Sequence, residues 1–391
     1  MDILPAVLLA AAAFSGWLAV GVVRWLREWA ASPSIVGAVH GIARWWLFCW
    51  FVDWSWRAAY PPFVQSDKLG LDARIYLAGA KAWLSGGDPW SAQVVFNDAG
   101  TYGFHYAAPP PSLLLFAPFA WMPERLFAEL AIVASFAAGF YLLRAVRLPA
   151  WWIFFPPLTM GILSANPVVI GTAALVSGIR WLAPVGFAAK VYFVVGLVGE
   201  RRWKDIVAVV FFAAATLLLL MPLWLQYLAD YGSISATIAA ESAGGFSATR
   251  ALPLFVATAV CVGALALVDW RTAWWLAIPA LSPFAEFHSS IAALPVMAPG
   301  LGALLAMSGT PGDAWAPLAI CVYSIWRVGR LVAERAGWQL PAILDLRITR
   351  PAAVDSAGGT ARDPAAGGMS ERPVGALDVL RQVRRTVWRP G

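Results

Sequence analysis

The stretch Ser66–Trp90, SDKLGLDARIYLAGAKAWLSGGDPW, holds an unusual density of charge in a chain that is 60% hydrophobic and only 13% charged. A soluble domain is normally about a quarter charged, so this composition indicates a membrane protein in which charge is confined to short regions. The stretch is one such region and is expected to lie outside the apolar part of the fold. Its charged residues are Asp67, Lys68, Asp72, Arg74, Lys81 and Asp88.

The rest of the chain is dominated by apolar runs, many of them near the length that crosses a bilayer, and the mean hydropathy is +0.69. Backbone polar groups in lipid must be hydrogen-bonded within their own segment, so these runs are predicted to be helices or helix pairs rather than strands. We predict an all-α polytopic membrane domain over residues 1–338 with about 10 to 11 membrane segments. They lie near residues 5–25, 35–55, 125–145, 150–164, 167–181, 183–199, 206–226, 250–269, 273–285, 289–307 and 315–333.

Basic clusters at the ends of these runs orient the chain, because Lys and Arg are enriched in cytoplasmic loops. A first helix that ends at Arg24 and a second helix that returns then place residues 57–111 on the extracytoplasmic face as one long loop. The clusters assigned to the cytosol are Arg24 with Arg27, Arg144 with Arg147, Arg201 with Arg202 and Lys204, and Arg271.

Two segments do not fit this orientation. Residues 183–199 lie between Arg180 and Arg201, and a single crossing would put one basic residue outside, so we predict two half-helices with Lys190 near the turn between them. Residues 315–333 have Arg327 and Arg330 near their end and Arg335 just beyond it, although by parity this end should emerge outside. Either that helix is interfacial or one earlier segment is miscounted.

The loop itself is predicted to be ordered, because its aromatic side chains can be buried at the membrane interface. Apolar residues recur at helical spacing from Asp72 to Leu84, which predicts an amphipathic helix lying at that interface. Asp72 stands at its start and could be its N-cap instead of a functional residue. Asp67 is the second candidate carboxylate in the stretch.

The remaining composition excludes several kinds of partner. The net charge of +6 does not indicate a nucleic-acid partner, because the Lys and Arg residues mostly fall at the ends of apolar runs and in the tail. Cys49, Cys261 and Cys321 show no metal-ligand spacing, so we predict neither a metal site nor a cofactor. Residues 339–391 are predicted to be a basic, disordered cytosolic tail.

Several motifs resemble those of one membrane enzyme family. DARIYLAGAKAWLSGGDPW, followed by FHYAAPPPSLLLFAPFAWMP, resembles the first extracytoplasmic loop of the GT-C glycosyltransferases of family 87. These are polyprenyl-phosphate-mannose-dependent α-mannosyltransferases and their arabinofuranosyl relatives. LSPFAEFHSSIAALP and PVGFAAKVYF resemble two later family segments, and Ala165-Asn166 stands where the family often has Gly-Gln. The matched positions are Asp72, Tyr76, Gly86, Gly87, Trp90, Tyr106, Pro109, Pro110, Gly186, Lys190, Ser282, Pro283, His288, Leu294 and Pro295.

The resemblance implies transfer of a sugar, mannose in most of the family, from a polyprenyl-phosphate-linked donor to a lipid- or glycan-borne hydroxyl. It implies an inverting mechanism on the extracytoplasmic face of the cell membrane, with Asp72 as the general base. One carboxylate suffices because the phosphate is already a good leaving group. The residues predicted to bind the donor phosphate or the substrate are His288, Lys190, Arg74, Tyr76, Arg250 and Asn166.

Other interpretations stay open at this point. The donor could be polyprenyl-phosphate-arabinofuranose, and a lipid-linked-sugar transporter or a non-catalytic scaffold of the cell envelope would also be polytopic. Lys190 could snorkel to the interface, and Arg250 could be an interfacial anchor rather than part of a phosphate site. His288 is the strongest of the predicted binding residues, because an ionisable side chain between apolar segments is costly unless it faces a cavity.

Overall fold

The computed structural model of the protein describes residues 35–59, 68–96, 102–241, 251–282, 287–307 and 315–337. Secondary structure in these residues is almost entirely helical, which confirms the predicted all-α class. Several predictions fall outside the described residues: the first membrane segment, Asp67, Arg250 and the tail 339–391.

Fifteen α-helices are found in the described residues, several joined by short 3-10 turns. In chain order they are α1 Ile35–Trp54, α2 Leu71–Leu84, α3 Pro111–Phe116, α4 Glu124–Ala145, α5 Pro156–Leu163, α6 Pro167–Val176, α7 Ala183–Ala189, α8 Val194–Gly199, α9 Trp203–Leu219, α10 Met221–Ala229, α11 Tyr231–Glu241, α12 Leu252–Val268, α13 Trp270–Leu281, α14 Pro299–Ala306 and α15 Trp315–Arg335. A ten-residue 3-10 helix, Phe287–Val296, lies between α13 and α14.

Two of these helices, α4 and α15, are long and apolar enough to cross a membrane. Two bent pairs qualify as well if each pair is one span. The chain bends by 115° between α5 and α6, and by 89° between α9 and α10. The predicted segments 150–164 and 167–181 are therefore short helices. At a rise of about 1.5 Å per residue neither α5 nor α6 crosses a bilayer alone. The predicted break in residues 183–199 is confirmed, because Lys190 separates α7 from α8.

The loop also contains a β-hairpin that the sequence did not predict. Strand β1, Gln93–Phe96, pairs antiparallel with β2, Tyr102–His105, and Val94 lies opposite Phe104. The predicted helix is present as α2, and the hairpin follows it in the loop. The strands are only four residues long, and their β-branched and aromatic residues are typical of strands but too few to show a period of two.

The aromatic residues of the loop are buried against protein. Tyr76, Trp90 and Tyr106 are each at most 6% exposed and form one cluster with Tyr227 of α10 and Ile234 of α11. A larger apolar core joins the remaining helices and is centred on residues such as Trp152, Phe193, Trp275 and Ile320. The loop is thus a small packed layer on the rest of the protein.

Helix α2 is docked by its first turn onto the end of α5. The amide of Gly70 donates to the carbonyl of Leu163 at 2.8 Å, and the amide of Asp72 donates to the carbonyl of Ser164 at 2.9 Å. The first amides of a helix lack partners within the helix, and here the last carbonyls of another helix satisfy them. The N-cap of α2 is Gly70, and Asp72 lies within the first turn, so the interpretation of Asp72 as the N-cap was wrong.

Replacing Gly70 by Ala is expected to loosen this docking. Gly70 has a φ of 68°, and a Cβ there would lie 2.7 Å from Cβ of Ala128 in α4. Left-handed backbone costs about 1–2 kcal/mol for a residue with a Cβ, and overpacking adds about 1–3 kcal/mol. Thermal unfolding in detergent measures the loss. Gly86→Ala is the control, because Gly86 has a φ of 79° but nothing within 4 Å of a Cβ. An equal loss in both variants would contradict the packing argument.

Candidate active site

Three side chains that the sequence places far apart are joined by hydrogen bonds. Nδ2 of Asn166 donates to Oδ2 of Asp72 at 2.9 Å and lies 2.7 Å from Nε2 of His288. The three residues come from α2, from the break between α5 and α6, and from the 3-10 helix Phe287–Val296. The structure therefore brings together the predicted base and two of the predicted binding residues.

The orientation of the Asn166 amide is fixed by its other end. Oδ1 of Asn166 accepts the amide of Val168 at 2.9 Å, which makes Asn166 the N-cap of α6. Nδ2 is then the donor to both neighbours, since an amide nitrogen cannot accept. Nε2 of His288 is the acceptor in this arrangement.

The site changes from buried to accessible along this chain of hydrogen bonds. Asn166 is 1% exposed and His288 is 8% exposed, whereas Asp72 is half-buried. Among the residues that the structure describes, the second carboxylate oxygen of Asp72, Oδ1, has no hydrogen-bond partner. One oxygen of the carboxylate is thus held in place and the other is left for a ligand.

Tyr76 lies on α2 one turn beyond Asp72 and pairs with Tyr106, which follows β2. The Tyr76 ring meets the Tyr106 ring edge-on, with centroids 5.5 Å apart, and the Tyr106 hydroxyl is hydrogen-bonded to the Ser112 hydroxyl. Burial raises the pKa of the Tyr106 phenol well above its ordinary value, while the Ser112 hydrogen bond opposes that shift. Tyr106 therefore stays protonated at physiological pH and can serve as a hydrogen-bonding group but not as a base.

Lys190 is half-buried at the break between α7 and α8. Its positive charge lowers the pKa of Tyr106, against the larger effect of burial, so its ammonium group acts on the same cluster of rings. The prediction placed a cation at a helix break near the substrate. The structure confirms the helix break at Lys190.

The predicted cation Arg74 and its neighbour on the same helix, Lys81, are placed differently. Arg74 forms an ion pair with Glu124 at the start of α4, and its side chain is 19% exposed. Nζ of Lys81 donates to the carbonyl of Met122 at 3.0 Å. Both residues thus tie α2 to the start of α4, and Arg250 lies outside the described residues.

The sequence did not predict that Asn166 connects Asp72 to His288. Its signal was present, because Asn followed by Pro is a typical start of a helix, with Asn as N-cap and Pro at the first position. Ser112 and Glu124 were also missed, and short hydroxyl or acidic residues next to prolines carry no signal of their partners. In the described part of the chain, no group of three or more His, Cys, Asp or Glu could hold a metal ion.

This arrangement can accept a proton from a hydroxyl group. A carboxylate with one oxygen held by an amide and the other accessible is suited to general-base chemistry. No protein-family model, curated protein or solved structure matches the chain. What the site does is therefore inferred from its geometry, together with the resemblance in its motifs.

Proposed function

We propose that the protein is a GT-C-type membrane glycosyltransferase that transfers a sugar from a polyprenyl-phosphate-linked donor to a hydroxyl of a lipid or glycan. The observation that carries this proposal is the hydrogen-bonded chain Asp72–Asn166–His288 with a free oxygen on Asp72 among the described residues. The active site faces the extracytoplasmic side of the cell membrane in this proposal, because the basic clusters assign the loop to that side.

Asp72 is the general base in the proposed reaction. The acceptor hydroxyl gives its proton to Oδ1 of Asp72 while its oxygen forms a bond to the anomeric carbon of the donor. The bond between that carbon and the phosphate oxygen breaks, and its electron pair leaves with the polyprenyl phosphate. Attack from the face opposite the leaving group inverts the anomeric centre, so a second catalytic carboxylate is not needed.

Asn166 and His288 position Asp72 rather than react. The Asn166 amide holds Oδ2, and because its other end caps α6, the carboxylate is fixed relative to the bent pair α5–α6. His288 accepts the second proton of the same amide and so limits rotation of Asn166. Because Nε2 of His288 is already occupied by the Asn166 amide, the cation for the departing phosphate is assigned to Lys190.

Lys190→Gln is expected to raise the apparent KM for the donor about tenfold or more, because it removes a charge from a partly buried phosphate contact while keeping a polar side chain. Transfer measured over a range of polyprenyl-phosphate-mannose concentrations gives this value. Lys81→Gln is the matched control, because Lys81 bonds to a backbone carbonyl in the same layer. A donor KM that changes equally in both variants would remove the assignment to Lys190.

The sugar is proposed to be mannose because the motifs resemble those of mannosyltransferases, and arabinofuranose is the alternative. The test uses the full chain reconstituted in proteoliposomes with radiolabelled polyprenyl-phosphate-mannose, or with polyprenyl-phosphate-arabinofuranose, and a lipid extract as acceptor. Label that moves into a new lipid product supports the transferase. Label that stays on the donor in both experiments argues against it.

A transporter is the second candidate, and the bent pair α5–α6 favours it. Two short helices meeting at 115°, with the start of α6 at the break, resemble the discontinuous helices that bind substrates in transporters. In the same proteoliposomes a transporter would move the labelled donor between leaflets without changing it chemically. Redistribution of intact donor that the protein accelerates, with no new product, would favour this candidate.

A further inference from the structure

A second site lies in the loop layer, away from the Asp72 chain. A cavity of about 420 Å³ lies between the β2 strand, the 3-10 turn that ends at Ser91, and helix α11. Its size falls within the range of about 300–1,000 Å³ that is typical of small-molecule sites. It is lined by both aromatic and polar side chains, including Trp90, Tyr106, Asp88, Asp230 and Thr237.

Hydrogen bonds and a ring contact hold the aromatic wall of the cavity in place. Nε1 of Trp90 donates to the carbonyl of Ala108 at 3.1 Å, and the Trp90 amide donates to Oδ1 of Asp88 at 3.0 Å. The Trp90 ring also packs on Tyr227 with centroids 5.5 Å apart. On the opposite wall, Glu241 accepts the backbone amide of His105 at 3.0 Å and pairs with its ring, which holds α11 against β2.

The polar groups of the cavity accept hydrogen bonds and carry negative charge. Oδ1 of Asp88 is used by Trp90 and by Gln226, which donates at 3.0 Å. Asp88 and Asp230 are exposed and Thr237 is half-buried, so their side-chain oxygens can accept hydrogen bonds from a ligand in place of water. His105 is the basic residue of this lining, and it is paired with Glu241. The lining therefore disfavours a phosphate or another anion and suits a neutral ligand with many hydroxyl groups.

We propose that this cavity is a saccharide subsite that binds a neutral sugar unit of the acceptor. Carboxylates accept hydrogen bonds from sugar hydroxyls, and Trp90 and Tyr106, which are 6% and 1% exposed, back this polar lining from below. Its role toward the acceptor rests on the proposed transferase function. The proposed subsite limits the class of acceptor to a glycolipid or a glycan, because a simple lipid alcohol would not fill a polar cavity.

The cavity is connected to the catalytic carboxylate through one aromatic layer. Tyr106 lines the cavity, and its ring packs 5.5 Å from the ring of Tyr76. Tyr76 follows Asp72 by one turn of α2. A Cβ at Gly79 would lie 2.5 Å from Cγ of Tyr106, so the ring lies directly on the helix backbone. The packed rings of Tyr106 and Tyr76 therefore separate the cavity from Asp72, so a sugar in the cavity and the hydroxyl that reacts would belong to different units of the acceptor glycan.

Binding is tested with the full chain in detergent, with an α-linked mannobiose as the probe and ligand-observed saturation-transfer NMR as the readout. Tryptophan fluorescence is unsuitable because the chain has 23 Trp. Asp230→Asn removes a charged acceptor, and Thr237→Val removes a hydroxyl at nearly constant shape. The parent is expected to bind mannobiose, and Asp230→Asn is expected to weaken binding about tenfold or more, Thr237→Val about threefold or more. Asp53→Asn is the matched control, because Asp53 is an exposed carboxylate paired with Arg57.

The outcomes separate this inference from the proposed function. Mannobiose binding that survives in Asp72→Asn but is weakened in Asp230→Asn supports the subsite. No mannobiose binding by the parent, or equal binding in the parent, Asp230→Asn and Thr237→Val, overturns it even if the parent transfers sugar. Displacement of mannobiose by inorganic phosphate, with phosphate binding lost in Asp230→Asn, overturns it as well. Binding to the parent without sugar transfer would overturn the transferase and leave the saccharide site.

Discussion

Asp72→Asn is expected to lower sugar transfer by about two orders of magnitude or more while the protein stays folded. A hydroxyl group is too weak an acid to ionise at neutral pH, so its proton must leave as the new bond forms. A positioned carboxylate contributes about 10²–10⁴ in rate to such a step. Asn keeps the size of Asp, but its amide cannot take that proton.

In the structure, this substitution removes the proton acceptor and keeps the other hydrogen bonds of residue 72. The carbonyl oxygen of an Asn at position 72 can still accept the proton of Asn166 Nδ2 that Oδ2 accepts at 2.9 Å. The backbone bond from residue 72 to the Ser164 carbonyl is not changed by the side chain. Expression, thermal unfolding and donor binding should therefore stay near those of the parent, and kcat for transfer should carry nearly all of the loss.

Two control variants decide which carboxylate matters. Asp53→Asn changes an exposed carboxylate in α1, and Asp67→Asn changes the neighbouring acid of the same charged stretch; both should change transfer only a few-fold. Full transfer in Asp72→Asn together with loss in Asp67→Asn would move the base to Asp67. Full transfer in both would mean that this loop does not hold the base.

The sequence could identify the separate parts of the site but not their connection. Asp72 was predicted from its match to the family motif, and His288 from the cost of an ionisable side chain between apolar segments. Each of these is a property of one short segment on its own. Their link passes through Asn166, which is 94 residues from Asp72 and 122 residues from His288. Hydrophobic periodicity reports only on neighbours within a few turns, so contacts over such separations leave no trace in a single sequence.

The same limit explains the errors in the loop. Apolar spacing correctly predicted a helix over Asp72–Leu84, and the structure has Leu71–Leu84. The spacing could not show that Trp90, which follows this helix in the loop, packs on Tyr227 of α10, more than a hundred residues later. It also could not show that Arg74 has Glu124 as its partner, so an arginine available to a phosphate could not be told from one in an ion pair.

Asn166→Ser is expected to lower transfer about tenfold to a hundredfold, because it removes the hydrogen bond that holds the Asp72 carboxylate. Hydrogen bonds to charged groups contribute about 1.5–3 kcal/mol, which corresponds to this range of rates. Ser is as good an N-cap as Asn, so the start of α6 keeps its acceptor, but the side chain is too short to reach both Asp72 and His288. Asn166→Ala should lose a similar amount of transfer and about 1 kcal/mol more stability, since Ala cannot cap.

The double variant Asp72→Asn/Asn166→Ser tests whether Asn166 acts through Asp72. If Asn166 only positions the carboxylate, then once Asp72 can no longer accept a proton, losing Asn166 has little further effect. Transfer by the double variant should then lie within a few-fold of Asp72→Asn alone, a strongly non-additive result. Losses that multiply would mean that Asn166 contributes independently of Asp72, by contacting the substrate or through His288. The positioning role assigned to Asn166 would then be wrong, although Asp72 could still be the base.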